Sequence, residues 1–234
     1  MDMRKFIFIP LTLPFLLILV FIMVILFIFY ASVISAAFQK LSIPAPVAYT
    51  LFFVAIIGSF INLPIAETTT YAPIMRVKEV RFLGIPYPVP YLDWAEQKVV
   101  IAINVGGALV PLSIVSYELM ILTLNGQVHL LINTIIAILM ASVLSHMFAK
   151  PVKGLGIAIP TLIPPLIAVA LALLLGDGNR PLVAYASGTM GVLIGADLMN
   201  WNKIKNLGAS MVSIGGAGTF DGIFLAGVIA VLLV

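Results

Sequence analysis

An almost unbroken apolar run occupies residues 6–38 and sets the main constraint on how this chain can fold. About 20 apolar residues span the hydrocarbon core of a bilayer, whereas the apolar part of a secretory signal is only about 7–15 residues long. The run therefore predicts a retained transmembrane helix behind the short basic leader of residues 1–5. The composition agrees, because 62% of the 234 residues are hydrophobic and only 9% are charged. We expect an integral membrane protein.

Six further apolar segments follow the first one. The sequence therefore predicts an all-α polytopic membrane protein of about seven transmembrane helices, folded as a single transmembrane domain over residues 1–234. The expected spans are residues 6–38, 46–65, 99–122, 128–148, 155–175, 182–200 and 209–234.

The basic residues are distributed unevenly between alternate loops, which predicts an orientation in the cell membrane. With a cytoplasmic N-terminus, the outer segments contain only Lys40 and Arg180. The cytoplasmic segments then contain Arg4, Lys5, Arg76, Lys78, Arg81, Lys98, Lys150, Lys153, Lys203 and Lys205. This asymmetry supports the seven spans and places the C-terminus on the outer side.

A long polar segment, residues 66–98, joins the second and third spans on the cytoplasmic side. Apolar and charged residues alternate along residues 75–83, and the turn sequence Gly84-Ile85-Pro86 follows, which predicts a small β-hairpin. One interpretation is a solvated connecting loop with local pairing. The other is an exposed strand edge at Arg76, Val77, Lys78 and Val80 that accepts an extended peptide by strand addition.

Two aspartates, Asp197 and Asp221, lie in small and apolar surroundings within the last two predicted spans. A carboxylate at the centre of a transmembrane helix costs roughly 2.5–3.5 kcal/mol on insertion scales, so an acid of this kind is a candidate functional residue. The predicted topology puts both near the cytoplasmic side at similar depth. Two carboxylates within hydrogen-bonding reach share a proton, which is the chemistry of an aspartic protease dyad.

The segment Gly218-Thr219-Phe220-Asp221-Gly222 resembles the Gly-x-Gly-Asp helix of presenilin and signal-peptide-peptidase-type intramembrane aspartyl proteases. Asp197, one predicted helix earlier, is similar to the first catalytic aspartate of that family. The resemblance implies that Asp197 and Asp221 are catalytic and that Gly218, Thr219, Phe220 and Gly222 bind the substrate along open backbone. The sequence departs from the pattern at Phe220, where the family has glycine, at Ala196, where tyrosine is usual, and in lacking a Pro-Ala-Leu motif after Asp221. The whole chain also resembles an uncharacterised family of multi-span prokaryotic proteins, domain of unknown function 1614, which implies no activity.

Other functions stay open at this point. The aspartates are also consistent with helix-end positions, Asp221 as an N-cap after a glycine-rich turn. Helices broken by glycine and proline near polar groups form ion sites in transporters, so a proton- or sodium-coupled transporter or channel could use the same two acids. A non-enzymatic membrane scaffold that binds a partner through the polar loop is a third class. The expected partners are the lipid bilayer and a transmembrane peptide or protein substrate.

The remaining polar residues inside the predicted spans carry weaker signals. Glu118 and His146 lie near span ends, so interfacial snorkelling is the expected role for both. Asn104 precedes small residues, which predicts close helix packing and a hydrogen bond to a neighbouring helix. The chain has no cysteine and no zinc- or serine-hydrolase motif, so we expect no metal and no cofactor. The small net charge of +3 gives no indication of nucleic-acid binding.

Overall fold

The structure, a computed structural model, describes residues 12–82, 84–152, 156–204, 209–216 and 222–234. In this part of the chain, apolar helices form a bundle and a long two-stranded hairpin extends from one end of it. The helices are α1 Thr12–Lys40, α2 Ala45–Gly58, α3 Val110–Leu124, α4 Val128–Phe148, α5 Ile163–Leu175, α6 Arg180–Val192, α7 Trp201–Ile204 and α8 Gly222–Leu233. The strands are β1 Asn62–Phe82, β2 Ile85–Asn104, β3 Lys150–Val152, β4 Gly156–Ala158 and β5 Met211–Ile214. Two π-helical turns, Val105–Leu109 and Leu193–Leu198, precede α3 and follow α6.

Helix α6 lies at the centre of the bundle. Every residue from Leu182 to Thr189 is buried, because α3, α4, α5 and α8 all pack against this helix. By contrast, the side chains of residues 13–30 on α1 are exposed although nearly all of them are apolar. A surface of this length and composition is suited to contact with lipid tails.

Small residues bring α6 close to its neighbours. A Cβ atom added at Gly191 would lie 2.5 Å from Cβ of Ala141 on α4, and one added at Gly188 would lie 3.2 Å from Cα of Gly227 on α8. Helices in lipid gain little from the hydrophobic effect, so their association depends on such close packing.

The bundle has two distinct ends. The hairpin end carries the last turn of α2, the base of β1 and β2, and the π-helical turn after α6. The opposite end carries the α3–α4 turn at residues 125–127 and the α5–α6 turn at residues 176–179. At this opposite end, Nζ of Lys40 donates to the carbonyls of Val231 and Leu232 at 3.2 and 3.3 Å, where its charge complements the C-terminus of α8.

Strands β1 and β2 pair antiparallel along their whole length, from Phe82↔Ile85 at the tip to Asn62↔Asn104 at the base. The turn between them includes Gly84, whose φ of 81° lies in the left-handed region that glycine adopts without steric cost. A register shift between Pro64 and Ala66 marks a bulge near the base that leaves Ile65 out of the ladder, and Pro64 can occur beside it because β1 is an edge strand.

The short strand β5 pairs with the base of β2 in parallel, from Val100↔Met211 to Ile103↔Ile214. The resulting sheet has the order β1-β2-β5. The two partners are far apart in sequence, and the connection between them contains α3 to α7, as a parallel pair requires.

The expectation of an all-α protein with seven spans is wrong. Strands β1 and β2 have 21 and 20 residues, so the predicted small hairpin is instead one of the longest elements of the molecule. Among the described residues, four helical segments are long and apolar enough to cross a membrane: Leu13–Lys40, Val105–Leu124, Val128–Phe148 and Arg180–Leu198. Three shorter apolar helices, Ala45–Gly58, Ile163–Leu175 and Gly222–Leu233, lie at the other predicted spans.

Several residues predicted to lie in transmembrane helices form strands instead. Helix α2 ends at Gly58, and residues 62–65 of the predicted second span form the start of β1. Residues 99–104 of the predicted third span form the end of β2. Val99, Val100 and Ile101 are β-branched, which favours an extended backbone, and pairing with β5 as well as β1 satisfies the backbone on both sides. Residues 156–158 form β4 rather than the start of a helix, and α5 starts only at Ile163, beside Pro164.

Replacement of Gly191 by alanine is expected to destabilise the bundle by about 1–3 kcal/mol, because the new methyl group would overlap Ala141 of α4. Gly222→Ala is the matched control, since a Cβ atom there meets nothing within 4 Å. Reversible unfolding of the purified protein in mixed micelles measures the difference. Equal stability of the two variants would contradict the close α4–α6 contact.

Candidate functional site

Asn104 joins the hairpin to the bundle. Its side chain is 1% exposed, and its Nδ2 donates to the carbonyl of Ser59 at 2.7 Å and to Oδ1 of Asn62 at 3.0 Å. Its Oδ1 accepts from the backbone N–H of Gly107 at 2.8 Å, so Asn104 also caps the helical segment that leads into α3. One residue therefore connects the end of α2, the start of β1 and the start of the third helical segment. The helix-to-helix hydrogen bond and close packing expected here are confirmed, because Gly106 contacts the backbone of Ala55 and Ser59.

Strand β5 is attached to the same junction. Oγ of Ser213 donates to Oδ1 of Asn62 at 2.5 Å, so this one oxygen accepts from both Ser213 and Asn104. The bond fixes β5 beside the hairpin base in addition to its backbone pairing with β2.

Asp197 lies in the π-helical turn Leu193–Leu198 and faces the residue after β5. Its side chain is half-buried, and its Oδ2 accepts from the backbone N–H of Gly215 at 2.8 Å. Gly215 has a φ of 87°, and a Cβ atom there would lie 2.5 Å from Cβ of Ala108, so both the turn and the close approach require glycine. The carboxylate is thus held against the glycine-rich segment that leads from β5 toward α8.

A second polar cluster contacts the same π-helical turn. Nδ1 of His146 lies 3.1 Å from the carbonyl oxygen of Gly195 and 3.1 Å from Nδ2 of Asn200. Nδ2 of Asn200 donates to the carbonyl of Ala196 at 3.0 Å, and Oδ1 of Asn200 is buried without a hydrogen-bond partner in the described part of the chain. A π-helical turn leaves backbone carbonyls outside the regular ladder, and Nδ2 of Asn200 donates to two of them, those of Gly195 and Ala196.

The structure separates the predicted site residues into two groups. Asp197 and Gly222 lie within the described bundle, with Gly222 exposed as the first residue of α8. Gly218, Thr219, Phe220 and Asp221 lie outside the described residues.

The predicted docking residues Arg76, Val77, Lys78 and Val80 lie in the distal half of β1. Arg76 pairs with Tyr91 fourteen residues beyond the Asn62↔Asn104 pair, which corresponds to about 46 Å of strand at about 3.3 Å per residue. Arg76 also forms an ion pair with Asp93 at 3.4 Å across the hairpin. The structure does not bring these residues to Asp197, so peptide docking at the hairpin remains a separate prediction.

Two polar residues differ from their expected interfacial role. Glu118 is buried inside the bundle on α3, with 6% of its surface exposed, and His146 contacts the π-helical turn as described above. Asn62, Asn200 and Ser213 also take part in these polar contacts, and their roles were not predicted from the sequence. A signal was present for Asn62, which stands in Asn-Leu-Pro just after an apolar run, but Asn200 and Ser213 become polar contacts only through the fold.

The hairpin end contains a carboxylate, an imidazole and strand β5, which within the described residues pairs with another strand along one edge only. Among the described residues no group of three or more histidine, aspartate or glutamate side chains could hold a metal ion. A carboxylate beside such a strand is suited to binding an extended peptide and to transferring protons.

The apolar helices and the lipid-suited surface of α1 define a membrane protein with a helical bundle and a hairpin. The chain belongs to the family described as "Protein of unknown function (DUF1614)", whose match covers residues 56–233 and thus most of the chain. No curated protein matches the chain, and no solved structure matches it either.

Replacement of Asn104 by alanine is expected to cost at least about 2 kcal/mol of stability, because it leaves buried groups of Ser59 and Gly107 without partners at about 1–3 kcal/mol each. Asn125→Ala, at the exposed α3–α4 turn, is the control and is expected to change stability by less than about 0.5 kcal/mol. Unfolding in mixed micelles gives both values. A neutral Asn104→Ala variant would show that the junction does not depend on this side chain.

Proposed function

We propose that this protein is an intramembrane aspartyl protease-like hydrolase in which Asp197 and Asp221 form the catalytic dyad. The observation that carries the proposal is the hydrogen bond from the Gly215 N–H to Oδ2 of Asp197. This bond holds Asp197 against Gly215, and Asp221 follows Gly215 by six residues in the sequence. The partial resemblance to presenilin and signal-peptide-peptidase-type proteases supports the same assignment.

The sheet offers a way to bind the substrate. Strand β5 pairs with β2 along one edge, and within the described residues its other edge has no strand partner. A peptide added there as a further strand would run toward Gly215 and Asp197, and backbone hydrogen bonds would supply affinity without requiring one sequence. A transmembrane peptide must unwind before hydrolysis, and an added strand would hold it in an extended form.

The dyad chemistry uses one proton shared between two carboxyl groups. The ionised carboxylate takes a proton from a water molecule, and the water oxygen bonds to the scissile carbonyl carbon. The protonated carboxyl gives its proton to the carbonyl oxygen, which forms a gem-diol. The C–N bond then breaks as one hydroxyl proton returns to a carboxylate and the amine leaves with the proton taken from water.

We assign the dyad to the cytoplasmic half of the cell membrane, with the N-terminus cytoplasmic and the C-terminus outside, on the charge asymmetry of the loops.

A second candidate function is a proton- or sodium-coupled transporter or channel that uses the same aspartates. The π-helical turn at Leu193–Leu198 favours it, because interrupted helices beside a carboxylate are a common basis for ion sites in transporters. A non-enzymatic scaffold is the third, and it draws support from the many exposed apolar side chains along the hairpin, such as Phe82, Tyr87 and Trp94.

The proposal is tested with the full chain reconstituted in liposomes together with a panel of single-span reporter peptides. Wild type is expected to cleave at least one reporter, and Asp197→Asn and Asp221→Asn are each expected to lower the rate at least about 100-fold, because a lost acid–base group costs about 10²–10⁴-fold. Asparagine can still accept from the Gly215 N–H, so Asp197→Asn is expected to fold.

Asp177→Asn is the matched control, because Asp177 lies exposed in the α5–α6 turn at the opposite end of the bundle. Mass spectrometry of the peptide products gives rates and cleavage positions. Cleavage that survives either dyad substitution would refute the assignment. Sodium or proton uptake that requires both aspartates, in liposomes that cleave no reporter, would favour the transporter instead.

A further inference from the structure

One face of the long hairpin carries an open row of large apolar side chains, which we call the apolar strip. It consists of Tyr71, Met75 and Val77 on β1 and of Leu92 and Trp94 on β2, and each of the five is between 66% and 78% exposed. Alternate residues of a strand point to the same face, and the register places Leu92 opposite Met75. All five side chains therefore lie on one side of the hairpin.

The opposite face of the hairpin has a different character. Arg76 and Asp93 form their ion pair there, and Lys78 lies two residues farther along β1 on the same face. Toward the base, Asp93, Ala95 and Gln97 on this face are half-buried, whereas the residues that alternate with them are exposed. Charged side chains are depleted from the centres of protein interfaces, so the apolar strip is the face that is suited to association.

The composition of the hairpin places the strip outside the hydrocarbon core of a membrane. Arg76, Lys78, Glu79 and Arg81 in its outer half would be costly among lipid tails. Within the described residues the outer half also has no third strand, and open strand edges do not occur in the hydrocarbon core. An apolar surface in this position is unfavourable unless another surface covers it.

The strip is large for a surface that stays open. Its five residues together expose roughly 700 Å², whereas the largest apolar patch on a typical monomer is about 300–600 Å². A stable protein interface buries about 800 Å² on each partner, which is close to the area that the strip offers. The strip is therefore of the size that a single protein partner covers.

A second copy of the chain also matches the strip in charge. When a two-fold axis runs along the strands between two facing strips, β1 of one copy lies over β2 of the other at the same height. Each charged residue of this face then meets the uncharged residue that is its own partner across the hairpin, so like charges stay apart. The pairs are Glu67 with Val100, Glu79 with Pro88, Arg81 with Pro86, Glu96 with Tyr71 and Lys98 with Thr69.

We propose that the apolar strip is a homodimerisation surface, at which the hairpins of two copies pack face to face outside the hydrocarbon core. Copies inserted in one membrane share their orientation, so their hairpins leave the bundles on the same side and meet at equal heights. The contact uses a face of the hairpin, whereas strand addition by a peptide uses an edge, so the two are compatible. The dimer does not depend on the proposed dyad.

Cysteine cross-linking tests the contact, because the chain itself has no cysteine. Val77→Cys places a thiol on the strip, and the matched control Val80→Cys places one on the opposite face of the same strand, where Val80 is also exposed. Each full-length variant is reconstituted in liposomes and treated with a bismaleimide that bridges about 10 Å, the distance between packed sheets.

Val77→Cys is expected to give at least about ten times more covalent dimer than Val80→Cys, because in the dimer both hairpins lie between the two outward faces. Equal yields from the two variants would show random encounters only and would overturn the proposal. The products are quantified on denaturing gels.

A charge within the strip is expected to weaken the dimer. Leu92→Glu would bury a carboxylate between two apolar surfaces, so the dissociation constant in the membrane is expected to rise at least about tenfold. Val89→Glu is the control, because Val89 is exposed on the opposite face of the same strand, and it is expected to change the constant less than about twofold. Both side chains are exposed in the single chain, so both variants are expected to fold.

Energy transfer between labelled copies over a range of protein-to-lipid ratios gives these dissociation constants. A Leu92→Glu protein that associates as strongly as wild type, or equal weakening by the two substitutions, would contradict a dimer at the strip.

The bilayer surface is the other occupant that these variants detect. A bimane label on Val77→Cys is expected to be protected from quenching by brominated lipids, because the second copy covers it. Quenching by the lipids without cross-linking would show that the strip rests on the membrane surface and would overturn the proposal. None of these measurements uses proteolysis, so failure of the dyad would leave their outcome unchanged.

Discussion

Asn104 stands where a strand becomes a helix, and the rest of the structure depends on how its side chain satisfies the backbone there. The chain passes from β2 directly into a π-helical turn, a transition that leaves backbone groups of Ser59 and Gly107 without regular partners. The side chain of Asn104 pairs both of them and also bonds Asn62. An apolar residue at this position would leave those groups unpaired in a buried place, where each costs about 1–3 kcal/mol. The hairpin can therefore project from the bundle as a continuous part of it.

The same constraint explains why strands can occur beside membrane-crossing helices. Strand backbone is compatible with a bilayer only where protein or water satisfies it. At the hairpin base, β2 has a strand on each side, β1 and β5, over residues 100–103. Farther out, the described part of the hairpin has two strands, and most of its side chains are exposed, charged ones such as Arg76 and Asp93 beside apolar ones such as Trp94.

The membrane class and the positions of the apolar helices could be predicted from the sequence, because an apolar run of about 20 residues rarely forms anything other than a membrane-spanning helix. The element type at residues 62–65 and 99–104 could not be predicted, since an apolar β-branched run reads equally as a buried strand or as part of a helix. Strand pairing decides between them: residues 62–64 pair with the end of β2, and residues 100–103 also pair with β5, which is only four residues long.

The residues of the candidate site could likewise be predicted only in part from the sequence. Asp197 stood out because an acid in an apolar run is costly wherever it lies. The interfacial role expected for Glu118 is wrong, because a position near the end of a span does not determine whether the side chain is buried. Burial depends on which face of α3 meets α6. That face is known only when the helices are packed. Oγ of Ser213 donates to Oδ1 of Asn62 although the two residues are far apart in the sequence, and no local sequence pattern predicts such a contact.

The parallel pairing of β2 with β5 has a consequence for how the protein is made. Nearly half of the chain lies between Val100 and Met211, and it includes most of the helices of the bundle. Closing so long a loop is entropically unfavourable until the intervening helices are in place. During synthesis the edge of β2 that faces β5 therefore stays unpaired until residues 211–214 have been made. The hydrogen bond from the Gly215 N–H to Asp197 forms only after that point, so chains that stop short of β5 lack it.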